Sequence, residues 1–104
     1  MTAKPVALLF QALANPVRMQ ILLSLRENLS MNVSQICDEL GLEQTHVSHN
    51  LKCLTFCGLV RVTREGKSRV YSLNQETVVS LFDIADRHLR RYANDLLDCD
   101  VLER

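Results

Sequence analysis

A short break at residues 41–43, between two stretches with helical spacing of apolar side chains, constrains the fold of this chain more than any other feature. The first stretch covers residues 34–40 and is closed by Gly41, and the second runs from about residue 44 to residue 57 and stops at Gly58. Two helices joined by such a short, glycine-containing turn form a helix-turn-helix, whose second helix enters the major groove of DNA. The sequence therefore predicts a DNA-binding helix that begins near Glu43.

Two further helices are predicted before this motif. The first covers residues 4–14, because apolar side chains recur there at helical spacing until Asn15-Pro16 ends the run. Pro16 suits the first position of a second helix, for which Asn15 is the expected N-cap. That second helix is expected to end near Asn28.

A hairpin and a long helix are expected after the motif. Residues 59–64 and 69–73 are rich in β-formers and roughly alternate around a turn at residues 65–68. Helical spacing returns over residues 76–97 and forms one broad apolar stripe of Val78, Leu81, Phe82, Ala85, Leu89, Tyr92 and Leu96. The predicted fold class is mainly α with a β-hairpin: a winged helix-turn-helix with four helices, two strands and a fifth helix.

Size and composition predict a single domain over residues 1–104, since 104 residues with 47% hydrophobic content suit one core. A core this small often gains stability by pairing, so we expect a homodimer in which residues 1–14 and 76–97 are the dimerisation helices and residues 98–104 form a tail. The alternative is that the last helix only completes the core of one protomer. Without a membrane-spanning apolar run or a leader pattern, we expect a cytoplasmic protein with no membrane partner and with reduced cysteines.

Charge is unevenly distributed, although the formal net charge is zero. Between residues 45 and 72 the basic side chains outnumber the acidic ones by five to one: Lys52, Arg61, Arg64, Lys67 and Arg69 against Glu65. From residue 92 onward the balance is acidic, with Asp95, Asp98, Asp100 and Glu103 against Arg104. A basic middle suits a chain that meets phosphate with one surface, and the alternative is a solvated face of mixed charge.

The predicted recognition helix divides into faces at about 100° per residue. Val47, Leu51 and Leu54 point to one side and are expected to face the core. The opposite arc carries polar and basic side chains that can reach bases and phosphates. The predicted DNA contacts on this helix are Gln44, Thr45, His46, Ser48, His49 and Lys52. The predicted contacts of the hairpin, which is expected to lie along the DNA backbone as a wing, are Arg64, Lys67 and Arg69.

Several segments together carry a family resemblance. They are ANPVR at 14–18, THVSHNLK at 45–52, GLV at 58–60, REG at 64–66 and VY at 70–71. In this order and spacing they resemble the ArsR/SmtB family of metal-responsive winged-helix repressors over nearly the whole chain. The resemblance implies a dimer that binds double-stranded operator DNA at an inverted repeat and leaves it when an inducer binds.

Two sensing sites of that family lack their ligands here. A Cys-x-Cys pair near the start of the third helix is replaced by Asn32 and Ser34, which leaves Cys37, interpreted as a packing residue. The zinc site of the last helix is replaced by Gln75, Thr77, His88 and Arg91. With one ligand of four, that site does not hold zinc, and His88 is interpreted as a surface residue.

The remaining cysteines resemble a third kind of site, that of the cadmium- and lead-sensing CmtR-like subgroup. This resemblance implies an ion held by Cys53 and Cys57 of the recognition helix and by Cys99 from the tail of the other subunit. Thiols one helical turn apart can share an ion, and three sulfurs suit soft, large cations. The expected inducer is a thiophilic metal or metalloid ion: cadmium, lead or arsenite. Whether Cys99 comes from the same or the other subunit is left open.

Several alternative functions are compatible with the cysteines or with the predicted fold. Cys53 or Cys57 paired with Cys99 in a disulfide would make the same fold a redox- or persulfide-responsive repressor. As small half-buried hydrophobes, Cys53 and Cys57 would have no chemical role at all. A winged helix serving only protein contacts is disfavoured by the basic hairpin. An enzyme is not expected, because no acid is placed to orient a cysteine and histidine pair.

Overall fold

A computed structural model describes residues 1–102 of the chain. Glu103 and Arg104, the end of the predicted tail, lie outside the described residues. Over residues 1–102 the elements are α1 (Ala3–Leu13), α2 (Pro16–Asn28), β1 (Ser30–Asn32), α3 (Val33–Leu40), α4 (Gln44–Phe56), β2 (Val60–Glu65), β3 (Ser68–Leu73) and α5 (Gln75–Leu97). The five predicted helices and the predicted hairpin are all present, and each of their bounds lies within one residue of the predicted one.

Local capping explains why α2 and α3 begin where they do. The Asn15 side chain accepts hydrogen bonds from the backbone N–H groups of Val17 and Arg18, both at 3.0 Å, and Pro16 occupies the first helical position. Asn32 and Gln35 form a capping box at the start of α3, in which each side chain bonds the backbone of the other.

The helix-turn-helix depends on a left-handed residue at the end of α3. Gly41 has φ 66° and ψ 36°, a conformation that glycine adopts without a Cβ penalty. Its N–H and that of Leu42 both bond the carbonyl of Cys37, at 2.8 and 3.2 Å. The chain thereby changes direction within three residues, and α4 begins at Gln44 as predicted.

The end of α4 differs by one residue from the prediction. The helix ends at Phe56, and Cys57 is its C-cap, with its N–H bonded to the carbonyl of Cys53 at 3.0 Å. Gly58 then takes φ 77°, and the N–H of Leu59 returns to the carbonyl of Leu54 at 3.0 Å. Cys53 therefore lies in the last turn of the helix, and Cys57 lies at its C-terminal end.

The sheet contains one strand more than predicted. β1 pairs with β3 in antiparallel register, Met31 opposite Tyr71, and the strand order is β1-β3-β2. A three-residue strand is too short to show alternation, so only its partner identifies it. Between β2 and β3 the pairing extends to Glu65 opposite Ser68, which leaves a two-residue turn with Gly66 at φ 62°.

Residues 1–74 form one compact unit and residues 75–104 are grouped as a second. The core of the first unit is apolar and fully buried: Ile21, Leu22, Leu25, Ile36, Val47, Leu51, Leu54 and Leu59. Beside it, the buried Ser24 hydroxyl donates to Glu39, whose carboxylate also accepts from Asn28 at 3.1 Å, so α2 and α3 share a polar link.

The second unit is the long helix α5 and the turn that follows it. Val78 and Phe82 are buried, whereas the apolar side chains Leu89, Tyr92 and Leu96 further along the helix are 40–44% exposed. Among residues 1–102, no single helix is long and apolar enough to cross a membrane, and α1 and α2 meet that test only when taken together across a 72° bend.

Candidate DNA interface and cysteine site

The exposed face of α4 is polar along its first two turns. Its opposite face is apolar, since Val47, Leu51 and Leu54 are fully buried as expected. All six side chains predicted to contact DNA are exposed: Gln44, Thr45, His46, Ser48, His49 and Lys52. Anchoring by the three core residues holds this polar face outward on a rigid helix, which is the arrangement that base recognition requires.

The basic residues of the wing lie close together near its turn. Arg64 and Arg69 are direct cross-strand partners in the β2–β3 register, and Lys67 lies in the two-residue turn. All three are exposed. Like charges opposite each other on two strands repel, and an anion beside the pair would relieve this repulsion.

A groove joins the recognition helix to the wing. The cavity, of about 720 Å³, is lined by Val33, Ser48, Lys52, Thr55, Phe56, Val62, Arg69 and Tyr71. Lys52 from α4 and Arg69 from β3 thus line the same groove, although they are distant in sequence. A surface of this kind, basic on both sides, suits a phosphate backbone passing between helix and wing.

Cys53 and Cys57 are brought together at the end of α4. Cys53 is half-buried and Cys57 is exposed, and the N–H of Cys57 bonds the carbonyl of Cys53 at 3.0 Å, so the two side chains lie one helical turn apart. Although Cys57 as a residue is exposed, desolvation raises the pKa of its thiol, and the neighbouring Cys53 raises it further, while the charge of Arg18 lowers it. Cys57 is therefore protonated at neutral pH, and an ion that binds it must displace the proton.

The cysteine pair offers two sulfur ligands and needs at least a third from elsewhere. Within residues 1–102 no three histidine, cysteine or acidic side chains come together as a metal site. Cys99 belongs to the second unit, where it is half-buried in a turn and its N–H bonds the carbonyl of Leu96 at 3.2 Å. Two sulfur ligands suit a soft ion but do not complete its coordination. The role of Cys99 as a third ligand stays a prediction.

Residues at the positions of the two missing sites have structural contacts instead. Asn32 caps α3. The ring of His88 lies 4.8 Å from that of Tyr92, and the guanidinium of Arg91 lies 5.5 Å from the same ring. Cys37 is half-buried on α3, consistent with packing.

Arg18 and Asn50 were missed as members of the site. Asn50 is not among the predicted site residues, but it is 4% exposed and accepts a hydrogen bond from Arg18 at 3.3 Å. Two sequence signals point to this contact: Asn50 is a polar residue next to the apolar stripe of α4, and Arg18 is part of the segment at 14–18 that carries the family resemblance.

The fold and the exposed polar helix define a winged helix-turn-helix DNA-binding protein. A sequence profile described as "Bacterial regulatory protein, arsR family" matches residues 15–62. The transcriptional regulator NmtR of Mycobacterium tuberculosis is 44% identical, over 83% of this chain and 71% of its own length. The transcriptional regulator CmtR of Mycobacterium bovis is 36% identical, over 93% of this chain and 72% of its own length.

A solved structure shows the same architecture. The homodimeric winged helix-turn-helix DNA-binding domain of Mb0332 from Mycobacterium bovis has a TM-score of 0.76 and 34% identity, covering 85% of this chain and 81% of that chain. This chain belongs to the arsR family of bacterial regulatory proteins, which are DNA-binding transcriptional regulators and not enzymes.

Proposed function

We propose that this chain is a metal-responsive transcriptional repressor that binds operator DNA as a homodimer and is released by a soft, thiophilic ion. The observation that carries the proposal is that Cys53 and Cys57 lie one turn apart at the end of the same helix that presents the exposed polar side chains. A regulator whose recognition helix also holds its ligand needs no long path between the two sites.

The DNA contacts of this proposal divide into two kinds. The exposed side chains of α4, residues 44–52, read base edges and nearby phosphates in the major groove. Arg64, Lys67 and Arg69 of the wing meet the backbone and contribute affinity that falls with salt. Lys52 and Arg69 line one groove, and in this proposal a phosphate passes between them.

A homodimer is supported by the apolar surface that each unit leaves exposed. On α1, Leu8 and Phe10 are each 54% exposed, and on α5 the side chains of Ile84, Leu89 and Leu96 are 40–56% exposed. Large apolar side chains repeated along two helices are typical of an interface with a second copy. We therefore propose α1 and α5 as dimerisation helices, and a twofold dimer matches an inverted-repeat operator.

The inducer proposed is cadmium, lead or arsenite, bound by Cys53, Cys57 and Cys99. The sulfurs of the three cysteines would hold such an ion, which would thereby tie the tail to the recognition helix. The chain's own residues do the rest: the thiols give up their protons, and the acidic neighbours of Cys99, Asp98 and Asp100, attract cations. Release requires that the ion bind the DNA-free form more tightly, with a coupling of roughly 1–3 kcal/mol.

The test is a titration of the reduced protein with each ion, followed both by thiolate-to-metal absorption and by release of labelled promoter DNA. We expect Cys53→Ser and Cys57→Ser to lose the absorption, and Cys99→Ser to bind DNA normally but respond weakly to the ion. Cys37→Ser is the matched control and should respond like the wild type. A normal response of Cys99→Ser to cadmium, lead and arsenite would refute the three-thiol site.

A second candidate is a redox- or persulfide-responsive repressor of the same fold, in which Cys53 or Cys57 forms a disulfide with Cys99. The exposure of Cys57 favours it, since an accessible thiol reacts with peroxides or persulfides. Intact mass after mild oxidation separates the two: loss of two protons together with loss of DNA binding supports the redox switch. An unchanged mass with full metal response supports the metal sensor.

A further inference from the structure

Arg18, in the first turn of α2, joins three helices of the first unit. Its Nε donates to the carbonyl of Ala12 at 2.7 Å and its Nη2 to the carbonyl of Gln11 at 3.3 Å. Its Nη1 donates to Oδ1 of Asn50 at 3.3 Å. One guanidinium therefore links α1, α2 and the recognition helix α4 through all three of its nitrogens.

At α1, Arg18 stabilises the end of the helix. Gln11 and Ala12 lie in its last turn, where the only other hydrogen bond recorded to these two carbonyls is that from the N–H of the C-cap Ala14 to Gln11, at 3.2 Å. A cation at this position also interacts favourably with the helix dipole. Because the fork of an arginine can serve two carbonyls and a side chain at once, a lysine cannot replace it fully.

At α4, the hydrogen bond from Arg18 is accepted by the buried side-chain amide of Asn50. Asn50 is 4% exposed, and its Nδ2 donates to the carbonyl of His46 at 2.9 Å. That bond directs Oδ1 toward Arg18. Five of the six predicted DNA contacts of α4 lie at residues 44–49, before Asn50 (the DNA-contacting half of the helix), and Cys53 follows Asn50 by three residues.

We propose that Arg18 is a positioning residue that fixes the recognition helix against the end of α1 and passes the state of the cysteine pair to the DNA-contacting half of α4. The inference rests on the DNA and metal roles proposed above. In this role Arg18 acts through Asn50, and each of its three nitrogens donates to a protein group, which uses three of its five N–H donors. Asn50 lies about one helical turn before Cys53, so the link reaches the part of α4 that carries the proposed ion site.

The link affects specificity more than overall affinity. If α1 is a dimerisation helix, its attachment to α4 sets the spacing of the two recognition helices in the dimer. An inverted repeat requires one spacing, whereas random-sequence DNA is bound through phosphates at any spacing. Loss of the link should therefore weaken promoter binding and leave non-specific binding in place.

The first experiment compares binding of the metal-free protein to a promoter fragment and to a random duplex of equal length. Arg18→Met should lower promoter affinity about tenfold, the scale of a lost hydrogen bond to a charged group. Its affinity for the random duplex should change less than about twofold, with the same salt slope. Arg18→Lys should recover only part of the loss, and it replaces Arg18→Met if that variant does not fold.

Asn50→Leu shows whether Arg18 acts through Asn50. The variant should resemble Arg18→Met, and the double variant should be no weaker than either single one, because both remove the same contact. Arg90→Met, an exposed arginine of α5, controls for the lost charge. Promoter affinity that is unchanged in both Arg18 variants, equal losses on both duplexes, or additive losses in the double variant would each overturn the inference.

The second experiment adds cadmium. Arg18→Met should keep the thiolate-to-metal absorption, but cadmium should release it from promoter DNA less than it releases the wild type. Equal release of both proteins would overturn the coupling role of Arg18. A wild type that shows neither promoter preference nor absorption would instead overturn the proposed function, so the two failures are distinguishable.

Discussion

Raising the pH should tighten cadmium binding by an amount that counts the thiols in the site. The pKa of Cys57 is held above its ordinary value, chiefly by desolvation, so its proton is still present at neutral pH in the free protein. Each thiol that loses a proton on binding makes the affinity up to about tenfold higher per pH unit. The affinity should keep rising until the pH passes the raised pKa, and only then level off.

The size of this effect distinguishes two ligands from three. Two thiols predict a rise of up to about 100-fold between about pH 6 and about pH 7, and three predict up to about 1000-fold. The assay is competition with a chelator of known pH dependence, followed by thiolate-to-cadmium absorption. Cys99→Ser should lower the slope of log affinity against pH by about one, and Cys37→Ser should leave it unchanged.

A slope near zero for the wild type would refute the reasoning, because it would mean that Cys57 binds without displacing a proton. If Cys37→Ser lowers the slope and Cys99→Ser does not, the third ligand is Cys37, and the assignment to Cys99 is wrong. Protein stability at each pH is checked by circular dichroism, so that loss of the fold is not read as loss of a ligand.

Three other substitutions test the fold and the wing. Ser24→Ala removes a buried hydroxyl that donates to Glu39 and should lower the free energy of unfolding in urea by about 1–2 kcal/mol; no change would show that Asn28 alone holds the carboxylate. Gly58→Ala puts a Cβ into a left-handed conformation with open space around it, so backbone strain alone should cost about 1–2 kcal/mol by thermal unfolding, and a larger loss would point to a clash. Lys67→Gln should reduce the salt slope of DNA binding by about one, without changing sequence preference; an unchanged slope would remove Lys67 from the interface.

Long-range contacts account for the parts of this protein that sequence patterns did not predict. β1 exists because Met31 pairs with Tyr71, forty residues away in the chain. The bond from Arg18 to Asn50 spans 32 residues, and the groove shared by Lys52 and Arg69 joins a helix to a strand. Such contacts leave no periodicity in the sequence, so they cannot be predicted from the spacing of apolar side chains or from turn residues.

What the sequence by itself determined is the set of features that depend on neighbours in the chain. Asn15-Pro16, Gly41 and Gly58 set helix ends because caps and left-handed turns involve only a few consecutive residues. The spacing of Cys53 and Cys57 alone predicted two thiols one helical turn apart. Only the tertiary structure decided that Asn50 is buried and bonded to Arg18, because that contact forms when separate helices pack and their polar groups must find partners.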